Sequence, residues 1–85
     1  MAVYSTFLLR MRMNIRDVFA ANLRKARKAA DFSQEELAHR AGIDRTYVSA
    51  LERSVYAATI EVVDQLANAL GIDAADLLVR PRRGR

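Results

Sequence analysis

Four side chains along one short stretch, Arg45, Thr46, Ser49 and Arg53, could do chemistry outside the chain, and Ala50 sits among them. Spaced about 100° apart around a helix axis, these five share one arc, while Tyr47, Val48, Leu51 and Glu52 share the other. Guanidinium and hydroxyl groups gathered on one face are hydrogen-bond donors for an anionic or polar partner, and the apolar face is an anchor. No catalytic constellation accompanies them. His39 is the one histidine and cysteine is absent, so a histidine-containing triad, a histidine metal cluster and thiolate sites are all excluded within one chain. With no nucleophile paired to a base, the expectation is a non-enzyme that needs neither metal nor cofactor.

The elements that must hold this arc are signalled on both sides of it. Asp44 is a natural N-cap for a helix from Arg45 to Arg53, and Gly42 supplies the turn after the preceding helix without a steric penalty. That preceding helix starts at Ser33, with Glu36 as a capping-box partner and Leu37, Ala38 and Ala41 as its inner face. Small Ala38 and Gly42, with apolar Val48, let the two helices cross closely. The pattern is a helix-turn-helix.

Upstream, Asn14 with Asp17 caps a first helix whose inner stripe is Ile15, Val18 or Phe19, Leu23, Ala26 and Ala30. Arg24, Lys25 and Lys28 lie outside, as a solvated cationic face or a contribution to phosphate contact. Phe32 and Ile43 plug the core, and His39 is exposed. Downstream, Thr59 caps a fourth helix with Val62, Val63, Leu66, Ala67 and Leu70 as its apolar side and Gly71 as its stop. Asp73 caps a short fifth helix carrying Leu77 and Leu78, and Pro81 prevents its comfortable continuation. No strand is required, so the fold class expected is all-α, a compact five-helix globule over residues 14–79.

The chain of 85 residues suits one small domain, and its net charge of +4 matters less than where the charge lies. From Asn14 to Val79 there are eight Lys/Arg against ten Asp/Glu. All eight cations precede Ser54, whereas Ser54 to Val79 holds four acids and no cation. One half is suited to facing phosphate and the other is not. Residues 1–13 read as a leader, either disordered or an arm packed on a partner chain through Val3, Tyr4, Phe7, Leu8 and Leu9. The apolar run there is too short for a bilayer, which needs about 20 residues, and its cations follow rather than precede it as a secretory signal requires. Residues 80–85 read as a mobile basic tail. The absence of cysteine fits a reducing interior, and a cytoplasmic location without membrane contact is expected.

The stretch SQEELAHRAGIDRTYVSALER, extended by NLRKARKAADF and VDQLANALGI, resembles the phage-repressor-like (Cro/C1-type) helix-turn-helix family of small DNA-binding transcriptional regulators. The likeness runs from about Asn14 to Leu78. It implies that the second and third helices form the motif and that the third enters the major groove of double-stranded DNA. On that basis Arg45, Thr46, Ser49 and Ala50 are base-reading candidates, with Ala50 limited to a thymine methyl where relatives often carry glutamine. Ser33, Gln34, Tyr47 and Arg53 are phosphate-contacting candidates. The family position matching Arg27 pairs with the glutamate matching Glu52, which implies a partly buried ion pair. Relatives dimerise near their last helices, so Val62, Ile72, Leu77, Leu78 and Val79 are the candidates for a homodimer interface. Ser54 and Ala58 stand where many relatives have a glycine and part of an Asn-Pro pair. No small-molecule partner is implied. The competing readings are an antitoxin or restriction-modification controller using the same DNA face, and a protein-interaction module that has lost base reading. Tyr56 is expected to pack on the core, ahead of the alternatives of approaching phosphate or a partner.

Overall fold

The computed structural model describes residues 14–81, and the leader and all but the first two residues of the basic tail lie outside that range. Four α-helices and one 3₁₀ helix follow one another: α1 (Ile15–Ala29), α2 (Gln34–Ala41), α3 (Arg45–Glu52), α4 (Ile60–Leu70) and the 3₁₀ helix Ala74–Leu78. Among the described residues there is no strand. The expected fifth helix is therefore a single tight 3₁₀ segment. Five residues between Asp73 and an extended Val79 leave no room for α-helical hydrogen bonding to propagate.

Each start follows from a side chain that answers an orphan N–H. Asn14 accepts from the N–H of Asp17, Ser33 from Glu36, Asp44 from Thr46 and Thr59 from Val62. The reciprocal half of a capping box at Ser33 is not formed, because Glu36 turns its carboxylate to Arg40 one turn on, at 2.6 Å. Both α2 and α4 end on a left-handed glycine, Gly42 at φ 74° and Gly71 at φ 71°. The N–H of Ile43 then closes back on the carbonyl of Ala38, and that of Ile72 on Ala67.

The core gathers Phe19 and Leu23 of α1, Leu37, Ala38 and Ala41 of α2, Val48 and Leu51 of α3, Val63, Leu66 and Ala67 of α4, and Leu77. Phe32, Ile43, Tyr47, Val62 and Ile72 pack against it from the rim. In α1 both Val18 and Phe19 are buried, whereas Ile15, expected in the inner stripe, is half exposed at the helix start. Helix α1 crosses α3 and the 3₁₀ helix, α2 crosses α3 and α4, and α4 closes on the 3₁₀ helix. Asn22 of α1 fixes the 3₁₀ helix to α1, its side-chain amide donating to the carbonyls of Leu77 (3.0 Å) and Val79 (2.8 Å).

Gly42 tests the turn itself. A Cβ placed there meets no atom within 4 Å, so the cost of Gly42→Ala comes from its φ of 74° alone. The expected loss is about 1–2 kcal/mol in urea unfolding, with no change in the slope against denaturant.

Candidate nucleic-acid interface

The arc on α3 is presented as two exposed residues, Arg45 and Thr46, at the helix start, then half-buried Ser49 and exposed Arg53 at its end. Arg53 donates through Nε to the Ser49 hydroxyl at 3.3 Å, so the two lie along one line of the helix surface. Ser33 and Gln34 stand at the start of α2, the first exposed and the second half-buried. Tyr47 is half-buried, with its ring centroid 6.5 Å from that of Tyr56.

Ala50 does not belong with them. It is 3% exposed and has no surface to offer a base. At about 140° from Arg45 it lies at the very edge of the arc. The N–H of Val55 closes back on the Ala50 carbonyl at 2.9 Å, ending α3 past the left-handed Ser54. Leu77 fails as an interface residue for a similar reason, since it is wholly enclosed in the core between α1 and α4. Val62 and Ile72 are half-buried, and Leu78 and Val79 are exposed.

Beneath the arc lies the centre that orients it. Glu52, only 3% exposed, takes Arg27 Nε at 2.6 Å on one carboxylate oxygen and Arg27 Nη2 at 3.0 Å on the other. Gln34 donates its side-chain amide to the same carboxylate at 3.0 Å. Arg27 also reaches the carbonyl of Phe32 at 2.9 Å, in the link between α1 and α2. Donating to the Glu52 carboxylate pushes the Arg27 guanidinium above its already high ordinary range, against an opposing effect of burial. The charge on Arg27 is therefore permanent at any working pH.

Sequence reasoning reached the Arg27–Glu52 pair only through family likeness, and missed the two groups that complete it. Gln34 was read as a phosphate contact, yet its side chain serves the buried carboxylate. Arg24 was read as part of a cationic outer face, yet its Nη1 donates to the carbonyl of Glu52 at 3.1 Å. A cation at the last carbonyl of α3 is favoured by the negative end of the helix dipole. Neither role has a local signal, because each depends on a partner 18 or 28 residues away.

In the loop after α3, the residue at the family's glycine position takes a glycine-like backbone. Ser54 holds φ 61°, the left-handed region that costs a residue with a Cβ, and its hydroxyl donates to Asp17 of α1 at 2.6 Å. Tyr56 does not pack on the core. It is 58% exposed, and its described ring contact is Tyr47. Among the described residues no group of His, Asp or Glu could hold a metal, and no helix is long and apolar enough to cross a membrane.

The described architecture, two short helices at a left-handed glycine turn within a four-helix core, defines a repressor-like DNA-binding fold. The Helix-turn-helix family model matches residues 23–77, and the chain belongs to this phage-repressor-like family. It is 44% identical over 69 residues to a hypothetical transcription factor of Neisseria meningitidis, covering 81% of this chain and 65% of that protein. The crystal structure of that transcription factor superposes with a TM-score of 0.78, over 80% of this chain and 78% of the solved one. Control protein C.SmaI of Serratia marcescens is 37% identical over 80% of this chain and 81% of its own length. The restriction-modification controller protein C.AhdI of Aeromonas hydrophila is similar in structure, with a TM-score of 0.71 and 37% identity, over 73% of this chain and 94% of that one.

Removing one partner of a buried pair strands the other, which costs about 3–5 kcal/mol. Arg27→Met and Glu52→Gln are each expected to lose that much in urea unfolding, and the double variant less than the sum of the two. A double-mutant cycle giving no coupling would show that the pair does not tie α1 to α3.

Proposed function

We propose that the chain is a sequence-specific transcriptional regulator that reads double-stranded DNA with α3 and acts as a homodimer in the cytoplasm. The observation that carries this reading is the donor arc of α3, exposed Arg45, Thr46 and Arg53 with half-buried Ser49 between them, on a helix whose opposite face is locked by Glu52. In the major groove Arg45 bonds guanine through two N–H groups, and Thr46 and Ser49 meet base edges or phosphates. Arg53, Ser33 and Tyr47 set the register on phosphates. Gln34 joins them with the second N–H of its amide, the first being given to Glu52. The charge pattern supports this orientation, since every cation between Asn14 and Val79 precedes Ser54.

One short helix reads few base pairs, so a two-fold dimer with its recognition helices about 34 Å apart supplies the specificity. Ile72, Val62, Leu78 and Val79 remain the pairing candidates once Leu77 is assigned to the core. The narrower reading, a restriction-modification controller, is favoured by the likeness to C.SmaI and C.AhdI. Whether a methyltransferase and endonuclease gene pair adjoins the coding sequence separates it from a general regulator.

The test is binding to fluorescent DNA from the protein's own upstream region, with scrambled competitor, at two salt concentrations. Binding that survives competitor is expected, and Arg45→Ala should weaken it by about 1–3 kcal/mol with relaxed preference at one base pair. Equal loss on scrambled DNA would mean that α3 touches phosphates only, and the protein-interaction reading would replace this one.

A further inference from the structure

Among the described residues six large apolar side chains are exposed. Val55 and Tyr56 stand on the loop after α3 and Val79 follows the 3₁₀ helix, whereas Ile15, Ile60 and Leu78 border one groove with two lobes. The near lobe, about 100 Å³, is lined by Ile15, Phe19, Ala58, Val63 and Leu78, with Arg16 beside them. The far lobe, about 310 Å³, is lined by Ile60, Val63, Ala74, Ala75 and Leu78, with Glu61 and Asp64 beside them. Val63 and Leu78 belong to both, so the groove is continuous from the start of α1 to the first turn of α4. A cation thus stands at one end and two acids at the other. All three are exposed, and none is held in an ion pair among the described residues.

We infer that two copies of the chain pair through this groove, about a two-fold axis near Leu78. The inference rests on the homodimer of the proposed function and assigns the surface that forms it. A two-fold contact needs a self-complementary patch, in which what one residue offers is met by another, twice over. The groove meets that need in both charge and shape. Turned about an axis at its middle, each near lobe opposes the far lobe of the other copy. Arg16 then faces Glu61 and Asp64, and the same contact recurs on the other side of the axis. Ile60, 84% exposed, projects from the border of the far lobe, and a near lobe of about 100 Å³ takes one aliphatic side chain. Ile15 in turn covers the far lobe, and Leu78, common to both lobes, meets its own copy at the axis. Pairing therefore removes from water the most exposed large apolar residue of the described domain.

A partner of one charge sign would satisfy one end of the groove and oppose the other, whereas a second copy answers both. No residue lining either lobe belongs to α2 or α3, so pairing here leaves the donor arc of each copy uncovered. The larger cavity, about 510 Å³ between the second half of α1 and the 3₁₀ helix, lacks this match. Val79 is the one exposed large apolar residue on its border, and nothing there projects as Ile60 does. Of the pairing candidates, Leu78 is kept and joined by Ile15 and Ile60, while Ile72 and Val79 line the cavity outside the contact.

Charge reversal tests this reciprocity at side chains that are exposed in the single copy. The full chain, its Arg16→Glu variant and a variant carrying both Glu61→Arg and Asp64→Arg are followed by sedimentation equilibrium over a range of concentrations, without DNA. The unaltered chain is expected to dimerise, and each reversed variant alone to pair about tenfold more weakly or worse. An equimolar mixture of the two variants is expected to recover the original affinity to within about threefold, because in the mixed pair every cation meets an acid. Ile60→Asp, which keeps a residue favoured at a helix start, should also weaken pairing by about tenfold with the helical content unchanged. A dimer that neither reversal weakens, or a mixture no tighter than its components, would overturn the assigned surface and leave the homodimer standing. A dimer lost in Val79→Glu but kept in Ile60→Asp would move the contact to the larger cavity and overturn it likewise. An unaltered chain that stays monomeric at every concentration would overturn the homodimer and this surface together. With no DNA present, none of these outcomes depends on whether α3 reads bases.

Discussion

The carboxylate of Glu52 is the constraint on which the rest of this domain depends. It is enclosed at the end of α3, and a carboxylate in such a place is tolerable only when its charge and lone pairs are answered. Arg27 answers from α1 with two N–H groups, and Gln34 answers from the first residue of α2. One carboxylate thereby fixes three helices, and the angle at which α3 leaves the body follows from it. Arg27 adds the carbonyl of Phe32, so the link between α1 and α2 is held by the same guanidinium. A hydrophobic core alone is non-directional and would leave α3 freer to roll. Paired donors with fixed geometry remove that freedom, which is what a reading helix needs.

Around this centre the molecule divides by charge and by chemistry. The face made by the starts of α2 and α3 offers amides, hydroxyls and guanidinium groups, and its apolar residues turn inward. The face made by α4 and the 3₁₀ helix offers acids and uncovered aliphatic side chains. The loop between them is held by a strained residue rather than by a glycine. Ser54 accepts a left-handed backbone and recovers part of the cost through a 2.6 Å hydrogen bond to Asp17, which ties the loop to the start of α1. Val55 and Tyr56 are carried into solvent on that loop, next to α3, where the ring of Tyr56 meets Tyr47.

Much of the fold was legible in the residues because its signals are local. Caps at Asn14, Ser33, Asp44 and Thr59 and stops at Gly42 and Gly71 each concern neighbours within one turn, and all six stand where the spacing placed them. The departures are at positions decided by distant chain. Ala50 lies at the edge of the outer arc by angle alone, and its enclosure has no local signal. Leu77 looked like interface because a short terminal helix gives no sign of which face meets α1. Gln34 and Arg24 looked like solvent or phosphate contacts because nothing near them in sequence names Glu52 as a partner. The Arg27–Glu52 pair itself came from family likeness, since 25 residues of separation give no spacing to read.

In the proposed function, Glu52 locks α3 so that its donor arc, and not the acidic apolar face, meets DNA. The most direct measurement is amide chemical-shift mapping of the ¹⁵N-labelled full chain, titrated with duplex from its own upstream region. The largest changes are expected on Gln34, Arg45, Thr46, Ser49 and Arg53, with α4 and the 3₁₀ helix nearly still. Changes centred on Ile60, Glu61 and Leu78, with the α3 arc unmoved, would contradict it.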